Sequence, residues 1–415
     1  MLIFNVRTSE GDVSMNELSL FTLALGLNKP WKVANIKFSK EEGRLDLKID
    51  FQKGATFPCP SCEGSHCAVH DTRERTWRHL NFFQYETYLH ARVPRIKCEG
   101  CGIRQVEVPW ARPGSGFTLL FELLMLQLCR EMSVAGVGAI ISEHTNRIWR
   151  ILEHYVERAR RRIDLSSFHI LGIDEFSVRK GHEYMTSFSD IDASRVIFTG
   201  ESRRKEVIET FADDMKEREY DLENIDLICC DMWDPYLNGI RKHIPQASIV
   251  FDRFHIMKMM NKAIEKVRWA EQKTNKDLKK TRFIWLKNPK NLTEEQAEQL
   301  TDLKKLDLKT ARAYQIKLAL SRFWEIKELE EAEHYLKKWY FWATHSRLAP
   351  VIEVARGIKR HWQGVINYTL SRITNGVVEG LNSKIKTAMK RAYGFKQTQY
   401  LRTIVYLVVG KLCFN

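Results

Sequence analysis

The stretch that decides the fold is FHILGIDEF, residues 168–176, an apolar run that ends in two acids, Asp174 and Glu175. An apolar run of this length predicts a strand that is buried on both faces of a sheet. A carboxylate at the exposed tip of such a strand is costly to desolvate, so it usually has a partner. If the strand continues, Glu175 points to the face opposite Asp174. The sequence therefore favours a structural role for Glu175 and leaves Asp174 as the candidate for chemistry.

The segments that follow predict a sheet with helices packed on it. Two of the later apolar runs end in Asp231 and Asp252. The order β-β-β-α-β-α-β is that of a ribonuclease H-like sheet, in which the strand before Asp231 is the parallel neighbour of the first strand. Asp252 also ends a strand and competes for the same role, but the strand order favours Asp231. The expected strands are 168–173, 184–191, 195–199, 225–230 and 247–251, and the expected helices are 205–215 and 235–243.

Several polar residues near these acids have two open interpretations. Asp252 and His255 could support the acids or contact DNA. Arg179, Lys180 and His182 could contact phosphate, or they could belong to a solvated hairpin.

Residues 255–370 are charged and helical in pattern, which predicts an all-helical insertion between the last strand and the last helix of the sheet domain. Core packing is the usual role of tryptophans in such a segment, and packing is also the default for Trp233, near Asp231. The alternative for a minority of them is stacking on an unpaired base. The six tryptophans of the insertion are Trp269, Trp285, Trp324, Trp339, Trp342 and Trp362.

The last segment, SRITNGVVEGLNSKIKTAMKRAYGFK, predicts a helix capped by Thr374 or Asn375 and ended by Gly394. Between Arg356 and Asn415 the sequence has eleven Lys or Arg and one acid, Glu379. Such an isolated carboxylate either pairs with its cationic neighbours or binds something positive, such as a metal ion. The cations expected to hold DNA phosphates near it are Lys384, Lys386, Lys390 and Arg391.

Asp174, Asp231 and Glu379 are therefore expected to converge. Three carboxylates repel one another unless divalent cations lie between them, and ligands that are all oxygen suit Mg²⁺ or Mn²⁺. Two such ions ~3.5–4 Å apart activate water or a 3′-hydroxyl and stabilise the leaving oxygen of a phosphodiester.

The first part of the chain predicts a small β module with a metal site. Residues 31–52 alternate apolar and polar as a β-hairpin does. Two CxxC pairs follow, and two such turns predict a tetrahedral zinc site. The alternative is four free buried thiols, and the nearby Cys67, His66 and His70 are spare candidate ligands. The four predicted zinc ligands are Cys59, Cys62, Cys98 and Cys101.

From Gly116 the apolar period becomes helical, with helices expected at 117–132, 134–140 and 144–159 and a turn at Ser142 or Glu143. This size and rhythm predict a helix-turn-helix. The alternative is an ordinary helical linker. The residues expected to be exposed for DNA contact on the later helix are His144, Asn146, Arg147 and Arg150.

The composition agrees with a polyanion-binding protein. The 415 residues include 66 Lys or Arg and 52 Asp or Glu, a net charge of +14, which points to nucleic acid first. No apolar run approaches the ~18 residues of a membrane span. Nine cysteines, four of them in CxxC pairs, favour metal in a reducing compartment. We expect a soluble cytoplasmic protein associated with the nucleoid.

The sequence resembles bacterial insertion-sequence transposases of the DDE superfamily, in particular the ISL3 type, over nearly the whole chain. The matching motifs are GIDEFSVRKGHEY at 172–184, DMWDPY at 231–236, PQASIVFDRFHIMK at 245–258 and ITNGVVEGLNSKIK at 373–386. The resemblance implies that Asp174, Asp231 and Glu379 are the DDE triad. It also implies binding of terminal inverted repeats, strand cleavage and strand transfer on double-stranded DNA. A homodimer or larger assembly is the natural expectation, because two ends must be brought together.

The expected fold class is an α/β ribonuclease H-like catalytic domain with a large all-α insertion, preceded by a small β/zinc-binding module and a helix-turn-helix region. Two other functions compete with transposition: a DNA-binding repressor on a catalytically retired scaffold, and a structure-selective nuclease of the same fold. The expected boundaries are 1–112 for the β/zinc module, 113–165 for the helix-turn-helix, 166–258 for the first part of the core, 259–370 for the insertion and 371–415 for the terminal catalytic helix.

Overall fold

The computed structural model describes residues 16–62, 64, 66–179, 183–202 and 204–414. The chain forms two compact units, Met1–Glu131 and Met132–Asn415. The boundary falls inside the segment that the sequence predicts as a helix-turn-helix, so the first helix of that segment belongs to the first unit and the next two belong to the second. Lys180 and His182 lie outside the described residues.

The first unit is built on a six-stranded sheet in the order β1-β2-β5-β4-β3, with β6 paired to β5. The predicted hairpin is confirmed, because β1 and β2 pair antiparallel and Leu45, Leu47 and Ile49 of β2 are buried. Its elements are α1 (Glu17–Ala24), β1 (Trp31–Ser39), β2 (Arg44–Phe51), β3 (Thr56–Phe57), β4 (Cys67–Phe82), β5 (Tyr85–Cys98), β6 (Gly102–Gln105) and α2 (Leu119–Glu131).

The second unit begins with two helices and a five-stranded sheet in the order β11-β10-β7-β8-β9. Strands β10 and β11 run parallel to β7, and β8 runs antiparallel to it. This is the predicted ribonuclease H-like sheet. Its first elements are α3 (Val134–Ile141), α4 (Thr145–Arg161), β7 (Ile170–Arg179), β8 (Glu183–Asp190), β9 (Arg195–Gly200), α5 (Glu206–Glu217), β10 (Leu227–Cys230), α6 (Asp234–His243) and β11 (Ser248–Phe251).

Helices cover both faces of this sheet, because successive side chains of a strand point to opposite faces. On one face Phe188 of β8 stacks on Phe211 of α5, with ring centroids 4.5 Å apart. On the other face the last helices pack on β7 and β9. Those helices are α14 (Gly376–Arg391) and α15 (Thr398–Val409).

The predicted all-helical insertion is confirmed for the residues that the structure describes between β11 and α14, although its first helix begins at Arg253, earlier than the expected 259. Trp285, Trp324 and Trp339 are buried in a core continuous with the sheet domain. Trp269 and Trp342 are 68% and 41% exposed, so packing does not explain them. Its helices are α7 (Arg253–Glu271), α8 (Arg282–Leu286), α9 (Glu294–Lys305), α10 (Lys309–Phe323), α11 (Leu329–Thr344), α12 (Ala349–Arg360) and α13 (Trp362–Ser371). None of the helices in the described part of the chain is long and apolar enough to cross a membrane.

Candidate functional site

The parallel pairing of β7 with β10 brings two acids side by side. Gly172 of β7 pairs with Cys229 of β10, and Asp174 and Asp231 each follow that pair by two positions. Because side chains alternate along a strand, both acids share one face with Gly172 and Cys229. The sequence interpretation ended the strand before Asp174, which is wrong. Strand β7 continues to Arg179 against β8, so Asp174 lies where its parallel neighbour ends.

Asp174 is held in a defined environment. Burial, followed by the nearby charge of Asp231, raises the pKa of Asp174 to about 6. Its Oδ1 accepts a hydrogen bond of 2.8 Å from the backbone N–H of Glu175. Its Oδ2 accepts one of 2.7 Å from Nδ2 of Asn382 in α14. The raised pKa is the expected mark of two neighbouring carboxylates with no cation between them.

A second acid and a histidine adjoin Asp231. Nδ1 of His255 lies 2.5 Å from Oδ1 of Asp231 and 3.3 Å from Oδ2 of Asp252. These two acids, Asp231 first, raise the pKa of His255 to about 10, so the imidazole is charged at neutral pH. Asp252 is buried and also accepts a hydrogen bond from the backbone N–H of Phe254 at the start of α7. The supporting role expected for Asp252 and His255 therefore has a geometric basis.

Helix α14 crosses this face of the sheet at close range. A Cβ on Gly172 would lie 2.5 Å from Cγ2 of Val378, so only glycine allows α14 to approach so closely. Val378 packs with Cys229 of β10, and Asn382 contacts Asp174. Glu379 lies between these two fixed residues, one turn before Asn382 on the same side of the helix.

Glu379 itself is exposed and makes no ion pair with any residue that the structure describes. Its carboxylate does not join Asp174 and Asp231 in a group whose ligand atoms all lie within 4.8 Å of one another, whereas Asp231, Asp252 and His255 form such a group. Of the cations on α14, Lys384, Lys386 and Lys390 are exposed and Arg391 is half-buried.

The residues at the ends of β7 and β10 fit a divalent cation. Oδ1 of Asp231 is buried and accepts no hydrogen bond from the described residues, since its close contact with His255 is not aligned as one. The raised pKa of Asp174 shows that positive charge would be stabilising there. Carboxylate oxygens are the ligands that Mg²⁺ and Mn²⁺ prefer.

The four predicted cysteines do come together in the first unit, and their sulfur atoms all lie within 4.8 Å of one another. The backbone N–H groups of Cys101 and Gly100, together with the Cys62 thiol, lower the pKa of the Cys98 thiol to about 6. Such N–H groups favour the thiolate that a metal requires. Four sulfurs at this spacing fit a tetrahedral zinc ion.

The spare candidate ligands of the first unit have other partners. The thiol of Cys67 lies 3.7 Å from the backbone carbonyl of Gly64. His66 contacts the Thr56 hydroxyl at 3.3 Å, and His70 lies 3.3 Å from Asp71. None of the three belongs to the four-sulfur group.

The predicted turn between the second and third helices of the helix-turn-helix is present. Ser142 ends α3 with φ of 56°, and a Cβ on Gly138 would lie 2.8 Å from the carbonyl oxygen of Glu143. The four residues proposed to contact DNA on α4 are exposed: His144, Asn146, Arg147 and Arg150.

Helix α4 is fixed to the sheet domain by aromatic contacts with α15. The indole of Trp149 stacks on Tyr400, with centroids 4.1 Å apart and 9° between the planes. Farther along α4, the guanidinium of Arg160 lies 5.0 Å from the centre of the Tyr406 ring. The third helix of the helix-turn-helix is therefore part of the same compact unit as the acids.

The sequence reasoning missed Asn382, which contacts Asp174, and did not anticipate α15. The spacing of Asn382 three residues after Glu379 could have indicated a shared helix face. The ion pair of His255 with Asp231 joins the ends of two strands and has no signal in local sequence.

Three family models match the chain. A transposase model of the ISL3 type with a DDE domain matches residues 171–405, the helix-turn-helix domain of transposase family ISL3 matches residues 106–156, and the zinc finger of IS204/IS1001/IS1096/IS1165 transposases matches residues 55–101.

Curated relatives match over nearly their full length. The transposase for insertion sequence element IS1557 of Mycobacterium tuberculosis is 26% identical, covering 95% of this chain and 96% of that protein. The transposase for IS1001 of Bordetella parapertussis is 27% identical, covering 91% of this chain and 95% of that protein. Among solved structures, a Drosophila P element transposase strand transfer complex aligns with a TM-score of 0.39 at 9% identity, over 69% of this chain and 91% of that one.

Proposed function

Because the chain belongs to the ISL3 family of transposases, we propose that it binds the terminal inverted repeats of an insertion sequence and cuts and joins DNA strands with Asp174, Asp231 and Glu379. The observation that carries this proposal is the register of β7 with β10, in which Asp174 and Asp231 follow the same residue pair on the same face. Two adjacent acids at the end of parallel strands, with orphaned oxygen and raised pKa, have a cation as their natural partner.

Asp174 and Asp231 would hold the cation, and Glu379 would join them from the first turn of α14. Val378 and Asn382 fix that turn on either side of Glu379. The charged His255 orients the Asp231 carboxylate from the side of α7. When bound, Mg²⁺ or Mn²⁺ supplies the activation of water or a 3′-hydroxyl and the stabilisation of the leaving oxygen.

DNA would be held by two sets of cations in the second unit. Lys384, Lys386 and Lys390 continue along α14 from Glu379, so they suit the phosphates on either side of the cleaved bond. The exposed start of α4 suits a groove of the terminal repeat. Two transposon ends require two active sites, so we propose a homodimer in the DNA complex. We also propose that the four cysteines of the first unit hold one structural zinc ion.

The test uses the full chain with duplexes that carry the ends of its own element, in Mg²⁺. Asp174→Asn, Asp231→Asn and Glu379→Gln should each lose cleavage by on the order of 10³-fold or more, because several kcal/mol of charge stabilisation depend on the cation. All three should still bind the ends. Asp226→Asn is the matched control, since Asp226 is 78% exposed at the opposite end of β10.

An Asp231→Asn protein that still cut and joined ends would overturn the assignment. Asp252→Asn decides between the two competing acids: because Asp252 is buried at the start of α7, its loss should lower stability more than it lowers cleavage per folded molecule. A strand-transfer assay separates a transposase from a nuclease, which would cut without joining. End binding with no cleavage by the unmodified protein would support the repressor.

A further inference from the structure

A large open cleft lies beside the acids in the second unit. It has a volume of about 1250 Å³ and is bordered by the extension of β7 and β8, by the starts of α5 and α6, and by the loop before α15. Trp233 lines it, two residues after Asp231, and the backbone N–H of Trp233 donates a hydrogen bond of 2.8 Å to the carbonyl of Asp231. The cleft therefore adjoins the place where the acids would cut DNA.

The cleft combines an aromatic surface with positive charge. The side chain of Trp233 is 42% exposed, which is unusual for an indole that borders a cavity of the sheet domain. Arg204, Lys205 and Lys396 line the same cleft and make no ion pair within the described part of the chain. Arg179 also lines it, but it is engaged by Glu183 at 3.6 Å and by the carbonyl of Phe395.

Three helices begin at this cleft. The first residues of α5, α6 and α15 line it, and none of the three helices has a hydrogen bond from a side chain of its N-cap residue. Helix starts present N–H donors and partial positive charge, which adds to the attraction of the lysines for phosphate.

We propose that this cleft receives an unpaired nucleotide of the DNA strand next to the cleaved phosphate, with its base stacked on Trp233 and its phosphate facing Lys205, Lys396 and the helix starts. The proposal rests on the proposed function for the location of the cut. In a duplex each base face is covered by its neighbours, so a recessed indole can stack only on a base that has left the helix. Stacking on an aromatic platform within a cationic groove is the chemistry of single-strand binding.

The binding test needs no cleavage. A fluorescently labelled oligothymidylate is titrated into the full chain without added Mg²⁺ or Mn²⁺, and its anisotropy is followed. Trp233→Ala should weaken binding by roughly 5- to 100-fold, the loss expected for one stacked base, and Trp233→Phe should restore most of it. Trp342→Ala is the matched control because Trp342 is 41% exposed, as Trp233 is, but lies in the helical insertion.

A cleavage test then locates the site in the reaction. Trp233→Ala should cut fully paired ends more slowly, and a mismatch at the cut should recover part of that loss, because the unpairing cost is already met. Equal oligothymidylate binding by Trp233→Ala, Trp342→Ala and the unmodified protein would overturn the proposal. If the acid variants kept full activity while Trp233→Ala still weakened binding, the proposed function would fail and the cleft would stand.

Discussion

Nδ2 of Asn382 donates a hydrogen bond of 2.7 Å to Oδ2 of Asp174, joining α14 to β7 across 208 residues of sequence. Oδ1 of the same amide accepts a hydrogen bond of 3.2 Å from the hydroxyl of Ser187 in β8. The amide is buried, so its orientation is fixed by both partners. This contact fixes the rotation of the helix that carries Glu379.

We expect Asn382→Ala to lower cleavage by about 10- to 100-fold, the range for a lost hydrogen bond to a charged group. Asn382→Asp should be at least as damaging, because it adds a carboxylate beside Asp174. Single-turnover cleavage of end duplexes measures both, and thermal unfolding reports any loss of fold. Ser383→Ala is the control, since Ser383 is the exposed next residue of α14. Normal cleavage by Asn382→Ala would show that the contact does not position the site.

The close approach of α14 to the sheet predicts a sharp effect at Gly172. Gly172→Ala introduces a Cβ only 2.5 Å from Cγ2 of Val378, so α14 must move or unfold. We expect a loss of about 1–3 kcal/mol in unfolding free energy, as for other overpacked cores, together with lost cleavage. Gly380→Ala is the matched control on the same helix, because nothing lies within 4 Å of its added Cβ. That change should be neutral or stabilising by up to about 1 kcal/mol.

A second-site change tests the cause at Gly172. Adding Val378→Ala to Gly172→Ala removes the clashing methyl group, so stability and cleavage should both recover in part. Denaturant unfolding of the double variant is the measurement. No recovery would mean that the approach of Val378 to Gly172 is not the reason for glycine at this position.

The strands of the first unit and of the sheet were predictable because alternation and short apolar runs have a direct meaning for strands. Helix α15 was not, since TQYLRTIVYLVV is rich in β-branched and aromatic residues that favour a strand. Its helical form depends on tertiary partners such as Trp149, which stacks on Tyr400. The extension of β7 beyond Asp174 was missed for a similar reason, because pairing with β8 determines it.

The candidate site was only partly predictable. Strand order alone indicated that Asp174 and Asp231 are neighbours, because parallel pairing follows from the order of elements. The contact of His255 with both Asp231 and Asp252 depends on how β10 and α7 end, and local sequence carries no information about that distance.

The four-cysteine group predicts a metal requirement for the first unit alone. Purified chain should contain about one zinc ion by the four-thiolate argument. Cys59→Ser should abolish zinc binding and destabilise the first unit, because metal binding is coupled to folding. Cys67→Ser should keep the zinc, since the Cys67 sulfur lies outside the group. Elemental analysis measures both, and a folded chain without zinc would exclude the site.

His79 predicts a loss of stability in mild acid. Burial, assisted by the charge of Arg78, lowers the pKa of His79 to about 4. The unfolded chain takes up a proton near pH 6.5, so between pH 6.5 and about 4 the unfolded state binds more protons than the folded state. Stability should therefore fall as the pH falls through this range, by roughly 2 kcal/mol at pH about 5.

His79→Gln isolates this effect, because glutamine can still contact the Thr118 hydroxyl that lies 2.9 Å from Nδ1. Urea unfolding at pH about 7 and about 5 should show a smaller difference for the variant than for the unmodified chain. Loss of zinc in acid affects both proteins equally, so the comparison is internal. Identical pH dependence in the two proteins would exclude His79 as the cause.

The exposed start of α4 predicts that two arginines contribute unequally to DNA binding. Arg147 forms an ion pair of 2.7 Å with Glu143, whereas Arg150 makes no ion pair among the described residues. An arginine that is not engaged by an acid can neutralise a phosphate without first losing a partner. We therefore expect Arg150→Ala to reduce the salt dependence of end binding by about one counterion, a slope change of roughly 0.9, and Arg147→Ala to reduce it by less. Binding titrations over a range of salt concentrations measure both slopes, Arg161→Ala at the far end of α4 serves as the control, and equal slopes for all three variants would mean that the start of α4 does not contact DNA.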